Sequence, residues 1–313
     1  MEVDFGLYDR CELCPRRCGV RRSNGRAGLC GATATLRVAR SALHFWEEPP
    51  ISGTSGSGAI FFTGCPLRCV FCQNHEISQE GFGLEVTTER LAQMMLELMD
   101  KGANNINLVT PLHYAPHVRK AILEARKAGM DLPIVCNTSG YERAEVVRAM
   151  SDVVDIWLTD FKYSSDAVSG RLSAVPDYAE RATEALREML ASLRRAGGRR
   201  LNRDGIMQRG IIVRHLVLPG HVDDSLAVLD RVWDVCGNEA DLSVMNQYTP
   251  NAECRSRGGD LARSVTNDEY ETVLDHADDL GFENLWWQQG GTVSESFVPA
   301  FDATGVRGPE LEC

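Results

Sequence analysis

Gly64-Cys65-Pro66-Leu67-Arg68-Cys69-Val70-Phe71-Cys72-Gln73-Asn74 sets three cysteines at x3 and x2 spacing directly after an apolar run, Ala59–Thr63. That run has the length and Ile/Phe content of a strand buried on both faces. In parallel α/β folds, reactive groups collect in loops at the carboxyl ends of strands. Three thiolates this close can hold three irons of a cubane iron–sulfur cluster. They leave one iron open, and an open metal position is what catalysis requires. With eleven cysteines among 313 residues, chance gives this spacing roughly 0.014 times. A structural zinc site wants four ligands, and His75 is the neighbour able to complete one. Buried structural cysteines are the remaining reading.

Outward from this loop, apolar runs alternate with amphipathic ones. Ile106–Thr110, Pro133–Asn137, Asp155–Asp160, Gly210–Leu218 and Leu242–Gln247 predict strands, and Asn284–Gln289 a further short one. Helices are expected over Thr88–Lys101, with Thr87, Thr88 and Glu89 as cap signals, and over Pro116–Gly129, ending on glycine. Glu142–Ser151, Tyr178–Ala196, Asp223–Cys236 and Asn267–Gly281 complete the series. Six βα units in a row predict an α/β fold with a parallel sheet and helices outside it. The count fits a partial barrel or a doubly wound sheet. Residues 1–50, rich in Cys, Arg and Gly, predict a small metal-binding N-terminal unit. Residues 51–293 form the βα body and 294–313 an irregular, loosely docked tail. Pro49–Gly58 reads either as a flexible linker or as a structured loop covering the cluster.

The formal net charge is −11, which disfavours nonspecific binding to nucleic acid or anionic lipid. Arg16, Arg17, Arg21 and Arg22 nonetheless cluster near the start of the chain. No apolar run reaches membrane length and no signal-peptide pattern opens the sequence, so a cytoplasmic location is expected. In that compartment many cysteines argue for metal or redox chemistry. Cys136, Cys236, Cys254 and Cys313 are scattered and read as small apolar residues. Cys11-x2-Cys14-x3-Cys18-x11-Cys30, in contrast, supplies four thiolates. Four can close a tetrahedral zinc site or hold a second iron–sulfur cluster, and the spacing leaves the metal open. Disulfides or free thiols are the competing reading; a thioredoxin-like one lacks its βαβ context.

Cys65-x3-Cys69-x-Phe71-Cys72 resembles the signature of the radical S-adenosylmethionine (SAM) superfamily, with Phe71 in the aromatic slot. The resemblance implies a partial (β/α)6 TIM-like barrel, in agreement with the six units. It also implies a [4Fe–4S] cluster on Cys65, Cys69 and Cys72, with SAM chelating the open iron. Reductive cleavage to methionine and a 5′-deoxyadenosyl radical, which takes a substrate hydrogen, would follow, fed by an electron donor such as flavodoxin or ferredoxin. The same loop, with the chain from about residue 58 to 290, more closely resembles the pyruvate formate-lyase activating enzymes and an uncharacterised branch near them. The marks of that branch are Cys11-x2-Cys14-Pro15-Arg16, Trp46–Gly53, Asn105–Pro111 and Arg214–Gly220. This implies a glycyl radical enzyme as a protein substrate, with a different protein or a small molecule as the other substrates left open.

The other strand ends follow the resemblance residue by residue. Where radical SAM enzymes often carry Gly-Gly-Glu for the SAM amino group, this chain has Val109-Thr110-Pro111, and Thr110 is the expected acceptor. Asn137 and Ser139 stand where activating enzymes carry Asp-Thr-Asn-Gly, near the SAM methionine and a monovalent cation; Asn137 replaces the acid. Asp160-Phe161-Lys162 resembles their Asp-Leu-Lys, which implies Asp160 at the ribose and Lys162 at the carboxylate. Arg214 and His215 alternate across a strand, so one at most faces the interior; Arg214 matches an arginine of the activating enzymes. Glu47, His113, Gln247 and Tyr248 are further candidates. Each residue also has a plain reading as a turn, a strand-end ion pair or a core histidine. Two other functional classes stand beside the enzyme: a non-catalytic iron–sulfur carrier or scaffold, and a zinc-binding adaptor.

Overall fold

The computed structural model describes residues 3–288 and 298–308. Gln289, the 293/294 boundary, the start of the tail and Cys313 lie outside them. The described strands are β1 (Arg37–His44), β2 (Ser57–Phe62), β3 (Leu84–Glu85), β4 (Ile106–Val109), β5 (Ile134–Thr138), β6 (Ile156–Asp160), β7 (Arg200–Leu201), β8 (Met207–Leu216), β9 (Asp241–Met245) and β10 (Leu285–Trp287). The helices are α1 (Pro49–Ser52), α2 (His75–Ser78), α3 (Thr88–Asp100), α4 (Ala115–Lys127), α5 (Ala144–Met150), α6 (Asp166–Ser173), α7 (Tyr178–Arg195), α8 (Val222–Cys236), α9 (Ala252–Arg257) and α10 (Asn267–Leu280). Local chemistry sets the helix ends. Thr87 Oγ1 accepts from Arg90 N at the start of α3, and Thr266 forms a capping box with Glu269 at α10.

Parallel strands lie side by side in the order β2-β4-β5-β6-β8-β9-β10. This order never reverses, so there is no switch point of the kind that defines a doubly wound sheet. Among the described residues β2 and β10 do not pair, which leaves the barrel open. The fold is the partial TIM-like barrel.

The sheet begins earlier than the composition suggests. Antiparallel β1 pairs with β2 from Val38↔Phe62 to His44↔Ser57, and β3 pairs with β1. Arg37–His44 is therefore part of the barrel's sheet, and a division at residue 50 cuts that sheet. The described tail is irregular but anchored, not loose. Ser41 N donates to Thr304 O, Ala303 N to Ala39 O, and Arg90 to the carbonyls of Gly305, Val306 and Arg307. Backbone that would be an open edge is thereby covered.

Pro49–Gly58 is structured, and it does not cover the three-cysteine loop. Asn104 Nδ2 donates to Ser52 O and Asn105 Nδ2 to Ile51 O, both from the residues just before β4. The segment thus closes the opposite end of the barrel. Ile51 packs there with Val135, Ile156, Leu158, Met207 and Ile212 as an apolar plug. Outward-facing Ile60, Leu108, Cys136, Trp157, Val213 and Val244 pack with the helices in the main core.

Candidate functional site

Gly64 lets the chain turn from β2 into the cysteine loop. Its φ is +91°, and a Cβ there would stand 2.6 Å from the Cys30 carbonyl oxygen. Val70 N donates to Leu172 O (2.9 Å), and Gln79 Nε2 to Cys69 O (3.0 Å). Ser173 Oγ donates to Cys69 Sγ at 2.9 Å, and Ser78 Oγ lies 3.2 Å from Cys72 Sγ. Burial pushes the Cys65, Cys69 and Cys72 thiols up, Cys65 strongly. Three thiolates so desolvated need a cationic centre to form. His75 is exposed and pairs with Glu80 at 3.2 Å. Among the described residues no three His, Cys, Asp or Glu side chains converge as a single metal ion requires.

Strand alternation gives the barrel interior a polar layer above the apolar plug. Arg214 faces inward and His215 outward. Arg214 Nε donates to Asp160 Oδ1 (3.0 Å), Nη2 to Asn137 Oδ1 (2.6 Å) and Nη1 to Glu47 Oε2 (3.3 Å). Lys162 Nζ donates to Asp160 Oδ2 (2.6 Å), and Asn107 Nδ2 to Glu47 Oε1 (2.9 Å). Burial raises Asp160, but Lys162 and Arg214 together outweigh it and hold this carboxyl below its usual range. Burial pushes Glu47 and Glu48 up despite Arg214. His215 is a satisfied core histidine: Nδ1–H donates to Phe161 O and Nε2 accepts from Ser225 Oγ, and burial lowers it to about 4.

A cavity of about 230 Å³ sits on this layer. It is lined by Cys65, Cys69, Cys72, Phe71, Thr110, Asn137, Ser139, Asp160, Lys162 and Arg214, with Glu47 and Gln247 beside them. Three sulfurs, two cations and the carboxyl groups of Asp160, Glu47 and Glu48 thus face one space. Ser139 Oγ is buried with no hydrogen-bond partner, as a polar atom awaiting a ligand is. These donors fit an iron–sulfur cluster together with an amino-acid-like cofactor. His113 and Tyr248 are not in that wall. His113 Nε2–H donates to Thr63 O behind the loop, and burial lowers it to about 3. Tyr248 packs on Phe71, its hydroxyl on Leu261 O.

The family follows from one match. Residues 59–232, more than half of the chain, match the sequence model of the Radical SAM superfamily. The chain belongs to the radical SAM superfamily. Membership brings a [4Fe–4S] cluster and SAM as its cofactors. This radical SAM protein is 27% identical over 296 residues to the uncharacterised protein MJ0674 of Methanocaldococcus jannaschii, covering 91% of this chain and 79% of that one. A second uncharacterised protein of that organism, MJ0808, is 24% identical over 253 residues, covering 74% of this chain and 68% of the other. Among solved structures, Streptococcus suis SuiB bound to its precursor peptide SuiA superposes with a TM-score of 0.49 at 11% identity. That match covers 72% of this chain, which spans about half of SuiB, 46%. No helix among the described residues is long and apolar enough to cross a membrane.

The structure adds groups that sequence reasoning missed. Tyr178 Oη donates to Ser139 O (2.8 Å) and accepts from Lys162 N (2.9 Å), tying two strand ends together. Ser78 and Ser173 reach the cysteine sulfurs. Glu142 is buried with Oε1 unpaired, and burial raises it to about 8. Only Tyr178 carried a sequence signal, as an aromatic at a helix start.

Proposed function

We propose that this radical SAM enzyme uses Cys65, Cys69 and Cys72 as cluster ligands and the Asp160–Lys162–Arg214 layer as its SAM seat. Its substrate is a protein, and the resemblance of its loop to the pyruvate formate-lyase activating enzymes points to a backbone glycine of a glycyl radical enzyme. The observation that carries the SAM reading is the single cavity in which all ten residues meet. A protein substrate is supported by the opening of that cavity. Phe71, Cys72, Gln73, Gln247 and Val298 also line an outer cleft of about 1420 Å³, wide enough for a chain segment.

When bound, the cluster and SAM supply one-electron cleavage to a 5′-deoxyadenosyl radical that removes a substrate hydrogen. The protein's own residues seat and shield. Lys162 attracts the SAM carboxylate, and Asp160, an ionised acceptor, receives ribose hydroxyls. Thr110 and the unpaired Ser139 hydroxyl would accept from the N–H groups of the SAM amino nitrogen. Phe71, packed on Tyr163 and Tyr248, keeps water from the reacting atoms.

The test is anaerobic reconstitution, reduction, and EPR with and without SAM, followed by assay for 5′-deoxyadenosine and for a glycyl radical on added pyruvate formate-lyase. A [4Fe–4S]⁺ signal perturbed by SAM, with deoxyadenosine formed, supports the enzyme. A signal indifferent to SAM returns the chain to the carrier or scaffold class. Deoxyadenosine with no protein radical removes the glycyl target and keeps the SAM chemistry.

A further inference from the structure

Four thiols outside the barrel gather at one place. A Cβ on Gly28 would lie 3.4 Å from Cys30 Sγ and 3.5 Å from Cys18 Sγ. Cys18 Sγ stands 4.0 Å from Cys11 O, and Arg22 Nη1 lies 3.7 Å from Cys11 Sγ. Cys14 sits in the turn between Cys11 and Cys18, where Arg17 N donates to its carbonyl at 3.0 Å. A zinc tetrahedron with arms of about 2.3 Å would draw its sulfurs to about 3.8 Å from one another. No three of these side chains converge as a single ion requires. A cubane carries its ligands on the corners of a larger body, and four cysteines complete it.

The charge around these thiols fits an anionic centre. Arg22 is 0% exposed. Its guanidinium donates to Thr33 O and His113 O and packs over the Tyr8 and Tyr114 rings. Among the described residues it has no carboxylate partner. A buried cation needs a counter-charge, and Cys11 Sγ, 3.7 Å from Arg22 Nη1, would supply one as a metal-bound thiolate.

The set is wired to the barrel site. Cys65 N donates to Cys30 O at 3.1 Å, so one hydrogen bond joins a residue of each cysteine set. Arg16 fixes this junction by donating to Pro66 O, Ala174 O and Ser173 O, and Ser173 in turn donates to Cys69 Sγ. On its other side the set approaches solvent beside Cys18. There Arg17, Arg21 and Arg26 are exposed on a chain of net charge −11.

We infer that Cys11, Cys14, Cys18 and Cys30 hold a second [4Fe–4S] cluster that relays electrons from an acidic one-electron carrier protein to the barrel cluster through the Cys30–Cys65 hydrogen bond. The relay rests on the proposed barrel cluster; the second cluster itself does not. One electron passes from the reduced carrier to the oxidised second cluster and then to the oxidised barrel cluster. The relay returns to its starting state, and no bond or proton changes place. The carrier class is that of ferredoxins and flavodoxins, whose acidic surfaces suit the arginines beside Cys18.

The test uses the full chain carrying Cys65→Ala, Cys69→Ala and Cys72→Ala, reconstituted anaerobically. It should retain about four irons and four sulfides and give a reduced-cluster EPR signal that SAM leaves unchanged. One zinc without sulfide, or no metal, overturns the inference. This arm lacks the barrel ligands, so it stands or falls separately from SAM cleavage. A second variant, Cys14→Ser with Cys18→Ser, should keep the SAM-perturbed barrel signal. Its barrel cluster should be reduced at least tenfold more slowly by reduced ferredoxin than in the wild type. An unchanged rate overturns the relay.

Discussion

Asp160→Asn removes the one carboxylate that serves two buried cations. Lys162 Nζ stands 2.6 Å and Arg214 Nε 3.0 Å from its oxygens, and the three side chains are 13–17% exposed. Breaking a buried pair by deleting one partner typically costs 3–5 kcal/mol, because the remaining charge stays desolvated. Arg214 keeps Glu47 at 3.3 Å, whereas among the described residues Lys162 has no other carboxylate partner. The lower end of the range, about 3 kcal/mol, is therefore expected. For a chain of 313 residues, an unfolding entropy of about 2.1 cal/mol/K per residue turns that into a fall in Tm of about 5 °C. Calorimetry of the metal-free chain near pH 7 measures it. Adding Lys162→Met should recover part of the loss by removing the stranded ammonium. A fall below about 1 °C, or a double variant worse than the sum of its parts, would mean that water screens the trio and that no preorganised charge layer exists.

Three other perturbations test neighbouring parts. Gly140→Ala should destabilise by at least about 2 kcal/mol in denaturant unfolding, since φ there is +78° and a Cβ would stand 2.1 Å from Asp160 O. Glu142 is raised from 4.5 to about 8, so the fold prefers its protonated form. This stability is full below pH 4.5 and is lost as pH rises to about 8, by about 5 kcal/mol in the metal-free chain; Glu142→Gln should flatten that limb. His215 is lowered from 6.5 to about 4, so its contribution is full above pH 6.5 and is lost as pH falls through about 4. His215→Leu should remove about 3 kcal/mol of that acid sensitivity, read from unfolding at pH 4 and pH 7.

Much of this architecture was legible because the parallel strands are buried on both faces. Ile106–Val109, Ile134–Thr138 and Ile156–Asp160 appear nearly where their apolar runs predict them. Alternation placed Arg214 and His215 on opposite faces, and the resemblance to the activating enzymes pointed to Arg214 as the inward one. The same reasoning passed over β1, since Arg37-Val38-Ala39-Arg40-Ser41 is the mixed sequence of a strand near an edge. It left Pro49–Gly58 open because glycine and serine do not reveal that Asn104 and Asn105 will hold their carbonyls. Ser173 and Tyr178 acquire their meaning from partners such as Cys69 and Ser139, remote in sequence, so only the folded chain shows them.

The barrel interior explains how charged residues can stand at its centre. Below them an apolar plug of Ile51, Val135, Ile156, Leu158, Met207 and Ile212 excludes water from one end. That raises the cost of every charge above it and strengthens every pairing. Arg214 is anchored by Asp160, Asn137 and Glu47, which come from different strands and from the segment leading into the plug. Its position is therefore set by the closure of the barrel itself. Among the described residues Lys162 pairs with no carboxylate but Asp160, so its ammonium is the charge most easily shared with an incoming carboxylate. In the proposed SAM seat the layer would divide the work: Arg214 bracing it, and Lys162 turning the same low-dielectric environment towards the ligand.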